Sequence, residues 1–408
     1  MSAAINAVLP DAAVARALAD RDFPGRVILV SAGKAAWQMA KAVYDQLGSR
    51  IERGIVITKY GHVKGPIGNL LCREAGHPVP DEQGFSATRE ALELVSGLTE
   101  ADMVLFLLSG GGSALFEDPL IPGGELQDIT GQLLACGAEI TEINTIRKRL
   151  SAVKGGRFAQ HCFPAQVFSV VLSDIIGDPL DMIASGPACP DSSTCRQALE
   201  IAEKYDLILS GTAWNCLHQE TPKTLSNVTT RVTGSVRQLC AAAAAAAEGL
   251  GYETRILTDR LTCEAKDAGA YLASIARDHH GCGKKMAFVA GGETVVKLTG
   301  SGKGGRNQEL ALAAAAGIDG LEKLCVFSIG SDGTDGPTDA AGGYVDGMTA
   351  RKLRDRGIEI GDVLRNNDAY HALQQTGGLI VTGPTGTNVN DVAVLLIDPE
   401  ETGGRYDV

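Results

Sequence analysis

The sequence lacks the long hydrophobic segments that would place a protein in a membrane or direct it through one. No apolar run in its 408 residues approaches the roughly 20 residues that a bilayer requires. The first residues also lack the pattern of a secretory signal, a basic segment followed by an apolar stretch and a small-residue cleavage site. We therefore expect a cytoplasmic protein that has no membrane partner.

Paired cysteines are absent as well. The ten cysteines include no Cys-x-x-Cys pair, so we interpret them as reduced thiols. His279, His280 and Cys282 have no second pair at zinc-site spacing, and they lie in a polar segment. A surface loop is therefore favoured there over a metal site.

Positive charge is scarce in this chain. Lys and Arg number 37 against 49 Asp and Glu, which gives a formal net charge of −12. This balance argues against a nucleic-acid partner, because affinity for a phosphate backbone comes mostly from clustered Lys and Arg. An anionic small-molecule substrate must then be held by local positive groups.

Length and composition predict two globular domains. The chain is 44% hydrophobic and 21% charged, and single hydrophobic cores stop growing beyond roughly 250 residues. Residues 217–228 are polar and contain a proline, and an alanine-rich helix is predicted to begin near Ser235. We therefore predict an N-terminal domain over 1–225 and a C-terminal domain over 226–408.

The N-terminal half predicts a doubly wound α/β domain. Near-continuous aliphatic runs alternate with helical stretches, which is typical of a parallel sheet covered on both faces. We expect a Rossmann-like, three-layer α/β/α arrangement. The predicted strands are 27–30, 54–57, 103–108 and 167–172.

The C-terminal half predicts an α/β domain with a mixed sheet. Several of its strands are joined by short turns, which requires antiparallel neighbours. The predicted strands are 254–257, 286–289, 294–298, 325–329, 378–381 and 390–397.

Lys34 follows the first predicted strand and precedes a helix. Ligands bind at this edge of the sheet in open α/β folds. A lysine at a helix N-terminus opposes the helix dipole, and a bound anion would explain its presence. The segment is not a P-loop, because Ile28 and Ala35 stand where that motif needs Gly and Ser or Thr. A solvent-facing lysine is the alternative.

A glycine-rich loop follows the predicted strand 103–108. It consists of Ser109, Gly110, Gly111, Gly112 and Ser113. Consecutive glycines allow positive φ and let backbone N–H groups converge on a phosphate oxygen. We expect a phosphate-binding loop, and a simple tight turn is the alternative.

Two aspartates, Asp174 and Asp178, follow the predicted strand 167–172. A carboxylate there could hold Mg²⁺ or take a proton from an attacking hydroxyl, and Asp174 is the first choice. Capping of a helix N-terminus is the alternative.

Gly300, Gly302 and Gly305 form a literal G-x-G-x-x-G pattern directly before Arg306. The match to a dinucleotide site is weak, because the next acidic residue at a strand end, Asp332, lies about 32 positions on instead of roughly 20. Arg306 beside glycine backbone suits bidentate recognition of a carboxylate or a phosphate. A surface arginine without a role is the alternative.

Two further loops, 331–339 and 382–391, follow predicted strands. Their spacing does not fit a calcium-binding EF-hand, and their composition fits ordinary turns as well as ligand loops. Together with the preceding loops they place glycine and hydroxyl groups at strand ends in both domains. This distribution indicates one cleft with phosphoryl-transfer chemistry, which needs mainly positioning and positive charge.

Taken in order, these segments resemble the glycerate 2-kinase family, whose C-terminal half is the MOFRL domain. Arg149 and Cys263 depart from the family pattern, which has histidine and glycine at these positions. The matching segments span almost the whole chain: Gly33-Lys-Ala-Ala, Gly76-His-Pro-Val-Pro-Asp81, Leu108-Ser-Gly-Gly-Gly-Ser-Ala-Leu115, Arg147-Lys-Arg-Leu-Ser151, Lys154-Gly-Gly156, Ser173-Asp174, Gly177-Asp-Pro-Leu180, Ala184-Ser-Gly-Pro187, Gly291-Gly-Glu293, Gly304-Gly-Arg-Asn307, Gly333-Thr-Asp-Gly336 and Thr382-Gly-Pro-Thr-Gly-Thr-Asn388.

The resemblance implies ATP- and Mg²⁺-dependent phosphorylation of D-glycerate to 2-phosphoglycerate. It makes Lys34 and Arg306 the leading catalytic candidates. The full set of expected roles is catalysis by Lys34, Arg306 and Asp174; nucleotide binding by the loop of residues 109–113 and by Gly304, Gly305 and Asn307; substrate binding by Lys34, Arg306 and Asp335; and metal binding by Asp174 and Asp178.

Lys34 and Arg306 belong to different predicted domains, so we expect the active site in a cleft that closes for catalysis. The main alternative function is an NAD(P)H-dependent hydroxypyruvate reductase, because relatives have been described in that way. A nucleotide-binding sensor without catalysis is a third reading. The sequence does not fix the oligomeric state, and a homodimer is one option.

Overall fold

The structure, a computed structural model, describes residues 1–399. The chain forms two compact units. The N-terminal unit is Pro10–Thr233, and the C-terminal unit combines Met1–Leu9 with the chain from Gly234 onward. The predicted boundary between residues 225 and 226 lies eight residues before the observed one, and residues 1–9, predicted as part of the N-terminal domain, belong to the C-terminal unit. Among the described residues, every helix is too short or too polar to span a bilayer.

Six strands form the sheet of the N-terminal unit, in the order β3-β2-β1-β4-β5-β6. The pairings that join β1 to β5 are all parallel, and the predicted doubly wound fold is confirmed. The elements of this unit are α2 (Pro10–Leu18), β1 (Val27–Ala32), α3 (Ala36–Leu47), β2 (Ile51–Lys59), β3 (Leu71–Ala75), α4 (Glu82–Leu94), β4 (Met103–Leu108), α5 (Gly112–Leu115), α6 (Gly123–Ala135), α7 (Ile140–Arg149), α8 (Arg157–His161), β5 (Gln166–Leu172), α9 (Cys195–Lys204), α10 (Gly211–Leu217) and β6 (Val228–Gly234).

Alternation along the strands builds the three layers. Ile28 and Val30 of β1 share one core with α4 and α8, whereas Val27 and Leu29 share the opposite core with α2 and α3. Successive side chains of a strand point to opposite faces, so a strand that is apolar throughout is buried on both. Both faces of the sheet are therefore covered. In open α/β folds, ligands bind at the edge formed by the carboxyl ends of the strands.

Four helices outside these layers, α6, α7, α9 and α10, form a separate apolar cluster within the N-terminal unit. Their packing fixes α7, whose last turn carries Arg147, Lys148 and Arg149. The packing of these helices therefore sets the position of Arg147, Lys148 and Arg149 within the N-terminal unit.

The C-terminal unit has a mixed sheet, as predicted, and its strand order is β11-β10-β9-β12-β8-β7. Only the β7–β8 pairing is parallel, and the other described pairings are antiparallel. Helices α1 and α11 pack on one face, and α12 and α13 pack on the other. The elements are α1 (Ser2–Ala7), α11 (Val236–Glu248), β7 (Glu253–Leu261), α12 (Ala265–His279), β8 (Met286–Gly292), α13 (Arg306–Gly317), β9 (Leu324–Gly330), β10 (Gly342–Asp346), α14 (Thr349–Arg354), α15 (Ile360–Arg365), α16 (Ala369–Thr376), β11 (Leu379–Ile380) and β12 (Asp391–Ile397).

The predicted strand 294–298 is wrong. This segment makes only an isolated bridge at Val295, and Leu298 is 80% exposed. Its predecessor β8 already has β7 and β12 as neighbours, so no sheet edge remains for it there. In the described part of this unit the prediction missed β10, a glycine-containing segment with low intrinsic strand preference, and in the N-terminal unit it missed β3 and β6.

Candidate active site

Three neighbouring strands of the N-terminal unit carry predicted site residues at their ends. β1 leads to Lys34, β4 to Ser109 and β5 to Asp174. The Lys34 amide donates to Gly110 O at 2.9 Å, and Ser109 Oγ accepts a hydrogen bond from the Ala35 amide at 3.0 Å. A methyl group on Gly110 would lie 2.2 Å from Asp174 Oδ2. The structure therefore brings Lys34, the glycine loop and Asp174 together.

Gly111 occupies the centre of this loop. Its φ of +86° favours glycine, and a Cβ there would lie 3.0 Å from the His77 ring and 3.1 Å from Lys34 Cγ. Within residues 1–399, the amides of Gly110 and Gly111 donate to no acceptor. These amides are available to an anion beside Lys34, as a phosphate-binding loop requires.

Lys154, Arg147 and Glu117 form a buried cluster, here called the Lys154 cluster, that binds the last residue of the Ser109–Ser113 loop. Lys154 Nζ donates to Ser113 O at 3.0 Å and to Phe116 O at 3.1 Å, and Arg147 Nη2 donates to Ser113 O at 2.8 Å. Glu117 Oε2 lies 3.3 Å from Lys154 Nζ and 3.6 Å from Arg147 Nη2. Burial lowers the pKa of Lys154 to about 8, against the opposing charge of Glu117. Two cationic side chains thus fix the Ser113 carbonyl.

Sequence reasoning missed the role of this cluster. Lys154 precedes α8, which begins at Arg157, and its side chain is fully buried. The available signal was the basic run in the last turn of α7, but the helix dipole favours cations at any helix C-terminus, so the run alone does not indicate burial. Arg149, the departure from the family pattern, is fully buried and donates to Thr145 O at 2.9 Å and Ser193 Oγ at 3.0 Å.

His77 is a second residue that sequence reasoning passed over. It follows β3, a short strand with a polar, partly exposed sequence that the hydrophobic pattern does not reveal. Its ring lies beside Gly111, and no residue in the described part of the chain is hydrogen-bonded to either ring nitrogen. Burial, and then the charge of Lys34, lower the pKa of His77. The imidazole is therefore held in its neutral form near pH 7.

Asp174 and Asp178 differ in their surroundings. Asp174 lies against Gly110, whereas Asp178 sits in a turn with a φ of +53° and has a buried Oδ1 that lacks a hydrogen-bond partner. Neither residue caps a helix. Residues 1–399 contain no group of three or more His, Cys, Asp and Glu side chains that could hold a metal.

In the C-terminal unit, Arg306 begins α13 and is paired with carboxylates. Its Nε lies 2.5 Å from Asp391 Oδ2, and its Nη2 lies 3.1 Å from Asp391 Oδ1. Its Nη1 lies 2.9 Å from Glu293 Oε1. Burial lowers the pKa of Arg306, but the Asp391 hydrogen bond and the neighbouring carboxylates outweigh it and raise the pKa overall. The guanidinium is oriented, yet the side chain remains 35% exposed.

Asp335 satisfies the first turn of α13. Its carboxylate accepts from the amides of Asn307 at 3.1 Å and Gln308 at 2.8 Å. Burial raises the pKa of Asp335 to about 6. Asp335 is only 3% exposed and Asn307 only 1%, so the carboxylate and the amide expected to meet substrate and nucleotide are engaged with each other. Their direct ligand contacts remain predictions.

The glycine pattern before α13 serves close packing. A methyl group on Gly300 would lie 2.4 Å from Asn366 Cα, and one on Gly302 would lie 2.5 Å from Asp368 Cβ. One on Gly305 would lie 2.2 Å from Asp335 Cγ. All three positions exclude a side chain because another segment of the C-terminal unit approaches. This arrangement explains the literal dinucleotide pattern without a bound dinucleotide.

Comparisons with known proteins follow the same division of the chain. Residues 1–218 match the family model described as a domain of unknown function, DUF4147, and residues 286–391 match the MOFRL family. The D-glycerate 2-kinase of Thermotoga maritima is 53% identical, over 96% of this chain and 95% of that protein. A protein of Agrobacterium vitis with the provisional name hydroxypyruvate reductase is 39% identical, over 97% of this chain and 92% of its own length.

A solved structure agrees with the fold. The crystal structure of glycerate kinase from Thermotoga maritima superimposes with a TM-score of 0.93 at 52% sequence identity. The superposition covers 97% of this chain and 96% of that one. Both halves of the chain are therefore accounted for by one type of two-domain protein.

Proposed function

The chain belongs to the glycerate 2-kinase family, and we infer from this that it is a glycerate 2-kinase, which phosphorylates the 2-hydroxyl of D-glycerate. Identity of 53% over nearly the full length of a D-glycerate 2-kinase supports the reaction. The single structural observation that carries the proposal is the meeting of Lys34 with unbonded loop amides at the carboxyl ends of β1 and β4. The phosphoryl donor that we propose is ATP.

The N-terminal unit would hold the phosphates of ATP. The loop from Ser109 to Ser113 offers backbone N–H groups, and Lys34 adds a positive charge next to them. Phosphoryl transfer leaves the protein little covalent work, and catalysis consists mainly of positioning and of stabilising negative charge. Lys34 therefore stabilises the charge on the transferring phosphoryl group, and it also contacts the substrate.

Arg306 is the second cation of the proposal. A guanidinium has five N–H donors, and three are directed at Asp391 and Glu293. Two donors remain for a phosphoryl or carboxylate oxygen. The packing of Gly304 and Gly305 and the cap formed by Asp335 fix the start of α13, which sets the position of Arg306. We propose that Lys34 and Arg306 both stabilise charge on the transferring phosphoryl group, so turnover should require each of them.

The residues present fit a magnesium ion. Asp178 Oδ1 is buried without a partner, and Asp174 adjoins the loop proposed for the phosphates. Mg²⁺ prefers carboxylate oxygens, and in nucleotide sites one or two carboxylates commonly suffice beside phosphate and water. Asp174 and Asp178 would hold the ion, which when bound neutralises phosphate charge.

One assay separates the candidate functions. ADP release is measured by a coupled assay with ATP, Mg²⁺ and D-glycerate, and ³¹P NMR identifies the position of the ester. If the protein is the kinase, ADP release depends on glycerate and a phosphate ester forms on C2. A nucleotide-binding sensor would bind ATP without glycerate-dependent ADP release. A reductase would instead oxidise NADH or NADPH with hydroxypyruvate in the absence of ATP. Reductase activity without glycerate-dependent ADP would overturn the proposal.

We also propose a cytoplasmic location. All ten cysteines are free, which fits a reducing compartment such as the cytoplasm. A homodimer stays a prediction, which sedimentation velocity at several protein concentrations would test.

A further inference from the structure

The ring of His77 lies against the glycine loop that we propose for the phosphates. Its Cδ2 and Nε2 are both 3.0 Å from the position that a Cβ of Gly111 would occupy, and Lys34 Cγ is 3.1 Å from the same point. The imidazole and the lysine therefore flank one residue of the proposed phosphate loop. For the ring to act as a base, the hydroxyl that attacks a phosphate bound on this loop must come within hydrogen-bond distance of Nε2.

The reaction releases a proton from the 2-hydroxyl, and few groups at this edge can accept it. A protonated lysine has no free lone pair, and Asp174 is assigned to the metal ion. The other nearby imidazole, that of His62, donates its Nδ1–H to Lys34 O at 3.1 Å, and no atom of His62 is among those nearest to the glycines of the loop, where the His77 ring lies. His77 has no such hydrogen bond in residues 1–399.

We propose that His77 is the general base of this kinase. Nε2 accepts the proton of the glycerate 2-hydroxyl while the hydroxyl oxygen forms its bond to the γ-phosphorus. The bond between that phosphorus and the bridging oxygen breaks, and ADP leaves with the electron pair. The half-buried ring then passes the proton to solvent. This assignment rests on the proposed kinase function.

The charges around His77 suit this role. Its pKa is lowered first by burial and then by Lys34, Lys59 and His62, so the neutral ring persists to lower pH than for an exposed histidine. Asp81, at the start of α4, is engaged with Tyr60 Oη at 2.7 Å and the Gly84 amide at 3.0 Å. A base with a lowered pKa should produce an acid limb in the pH profile of kcat/KM below neutrality.

The test compares His77→Gln and His77→Ala with a matched control, His161→Gln. The His161 ring is exposed and is hydrogen-bonded through Nε2 to Leu92 O at 3.1 Å. We expect the two His77 variants to lose on the order of 10²–10⁴ in kcat, as for other general bases, with little change in KM for ATP. The acid limb should disappear, and added imidazole should partly restore turnover of His77→Ala. His161→Gln should match the wild type.

The outcomes separate the two proposals. If the wild type releases no glycerate-dependent ADP, both the kinase function and the base assignment are wrong. If the wild type is active and His77→Gln keeps the acid limb, or loses only affinity for ATP, the base assignment alone is overturned. Thermal unfolding midpoints show whether each variant is folded. If His77→Ala is unfolded, the kinetics and pH profile of His77→Gln decide the base assignment. A normal kcat in either folded variant refutes the role of His77 as general base.

Discussion

The guanidinium of Arg306 and the carboxylate of Asp391 form a bidentate pair, with donor–acceptor distances of 2.5 and 3.1 Å. Asp391 is the first residue of β12, and Arg306 is the first residue of α13. The pair therefore ties the sheet of the C-terminal unit to the helix that follows its glycine loop. Its geometry leaves part of the guanidinium exposed, so orientation and ligand binding are compatible.

Replacing Arg306 by Lys should reduce kcat by a factor on the order of 10² or more, as for other groups that stabilise developing charge. Lysine keeps the charge but cannot form the planar fork that Asp391 orients. The measurement is glycerate-dependent ADP release. Arg354→Lys is the matched control, since Arg354 makes an exposed ion pair with Asp319 in the same unit. Wild-type turnover in Arg306→Lys would remove Arg306 from the mechanism.

Replacing Lys34 by Met should likewise lower kcat by on the order of 10² or more. The methylene stem is retained, so the loss reports the ammonium group and not packing against Gly111. Lys41→Met, on the exposed face of α3 where Lys41 pairs with Asp45, should leave turnover unchanged. Equal kinetics for the two variants would contradict the proposed role of Lys34.

The N-terminal site could largely be predicted from sequence, because topology brings it together. Near-continuous aliphatic runs mark β1, β4 and β5, and the carboxyl ends of parallel strands meet at one edge. Lys34, the loop at Ser109 and Asp174 must then be neighbours whatever their side chains do. The prediction needed the periodicity, which is a local property, and the parallel direction of the strands, which the helices between successive strands indicate.

The remaining parts depend on contacts between distant segments. Lys154 can be buried because Glu117 and the Ser113 carbonyl bind its ammonium group. Both partners lie more than 30 residues away in the sequence, so the local pattern around Lys154 does not predict these contacts. His77 follows a strand too polar to recognise. Asp335 accepts hydrogen bonds from the first amides of α13, since a buried helix N-terminus must find acceptors for its amides, and this contact does not follow from local pattern.

Gly111→Ala should impair activity beyond its effect on stability. Positive φ costs a non-glycine residue about 1–2 kcal/mol, and the added methyl would press on His77 and Lys34. A small displacement of catalytic groups can cost roughly 10² in rate. Gly97→Ala is the control, because Gly97 has a φ of +66° and nothing within 4 Å of a Cβ. We expect the two variants to lose similar thermal stability, but Gly111→Ala should lose much more turnover than Gly97→Ala. Equal losses of turnover in the two variants would refute the prediction.

Asp335 should make stability depend on pH. Burial raises its pKa from 3.8 to about 6 in the folded protein, so this contribution is fully present below pH 3.8 and is lost as pH rises through 6. Asp335→Asn cannot titrate. The advantage of the wild type over the variant in free energy of unfolding should therefore fall by about 2–3 kcal/mol between pH 4 and 7.

Thermal unfolding midpoints at several pH values test this relation. Asp332→Asn in the same loop is the control, because Asp332 is less buried than Asp335 and its Oδ1 accepts only a local turn hydrogen bond from the Thr334 amide. A difference between wild type and Asp335→Asn that stays constant, or grows with pH, would show that Asp335 is not held protonated near pH 5.

The Lys154 cluster should behave as a coupled unit that serves the phosphate loop. Lys154→Met leaves Glu117 buried with Arg147 alone, and Glu117→Leu leaves two cations without their carboxylate. Each single change should cost about 3–5 kcal/mol of unfolding free energy, because it leaves a buried charge poorly compensated. The double variant should lose clearly less than the sum, since it removes both charges together.

Activity distinguishes a role in the loop from a role in stability alone. The double variant lacks the Lys154 hydrogen bond to Ser113 O but keeps that of Arg147. We expect it to fold, to retain part of its kcat and to show a raised KM for ATP, because the Ser109–Ser113 loop is less firmly held. KM for D-glycerate should change less. Additive losses of stability in the mutant cycle would argue against coupling, and an unchanged KM for ATP would mean that the cluster supports the fold without shaping the loop.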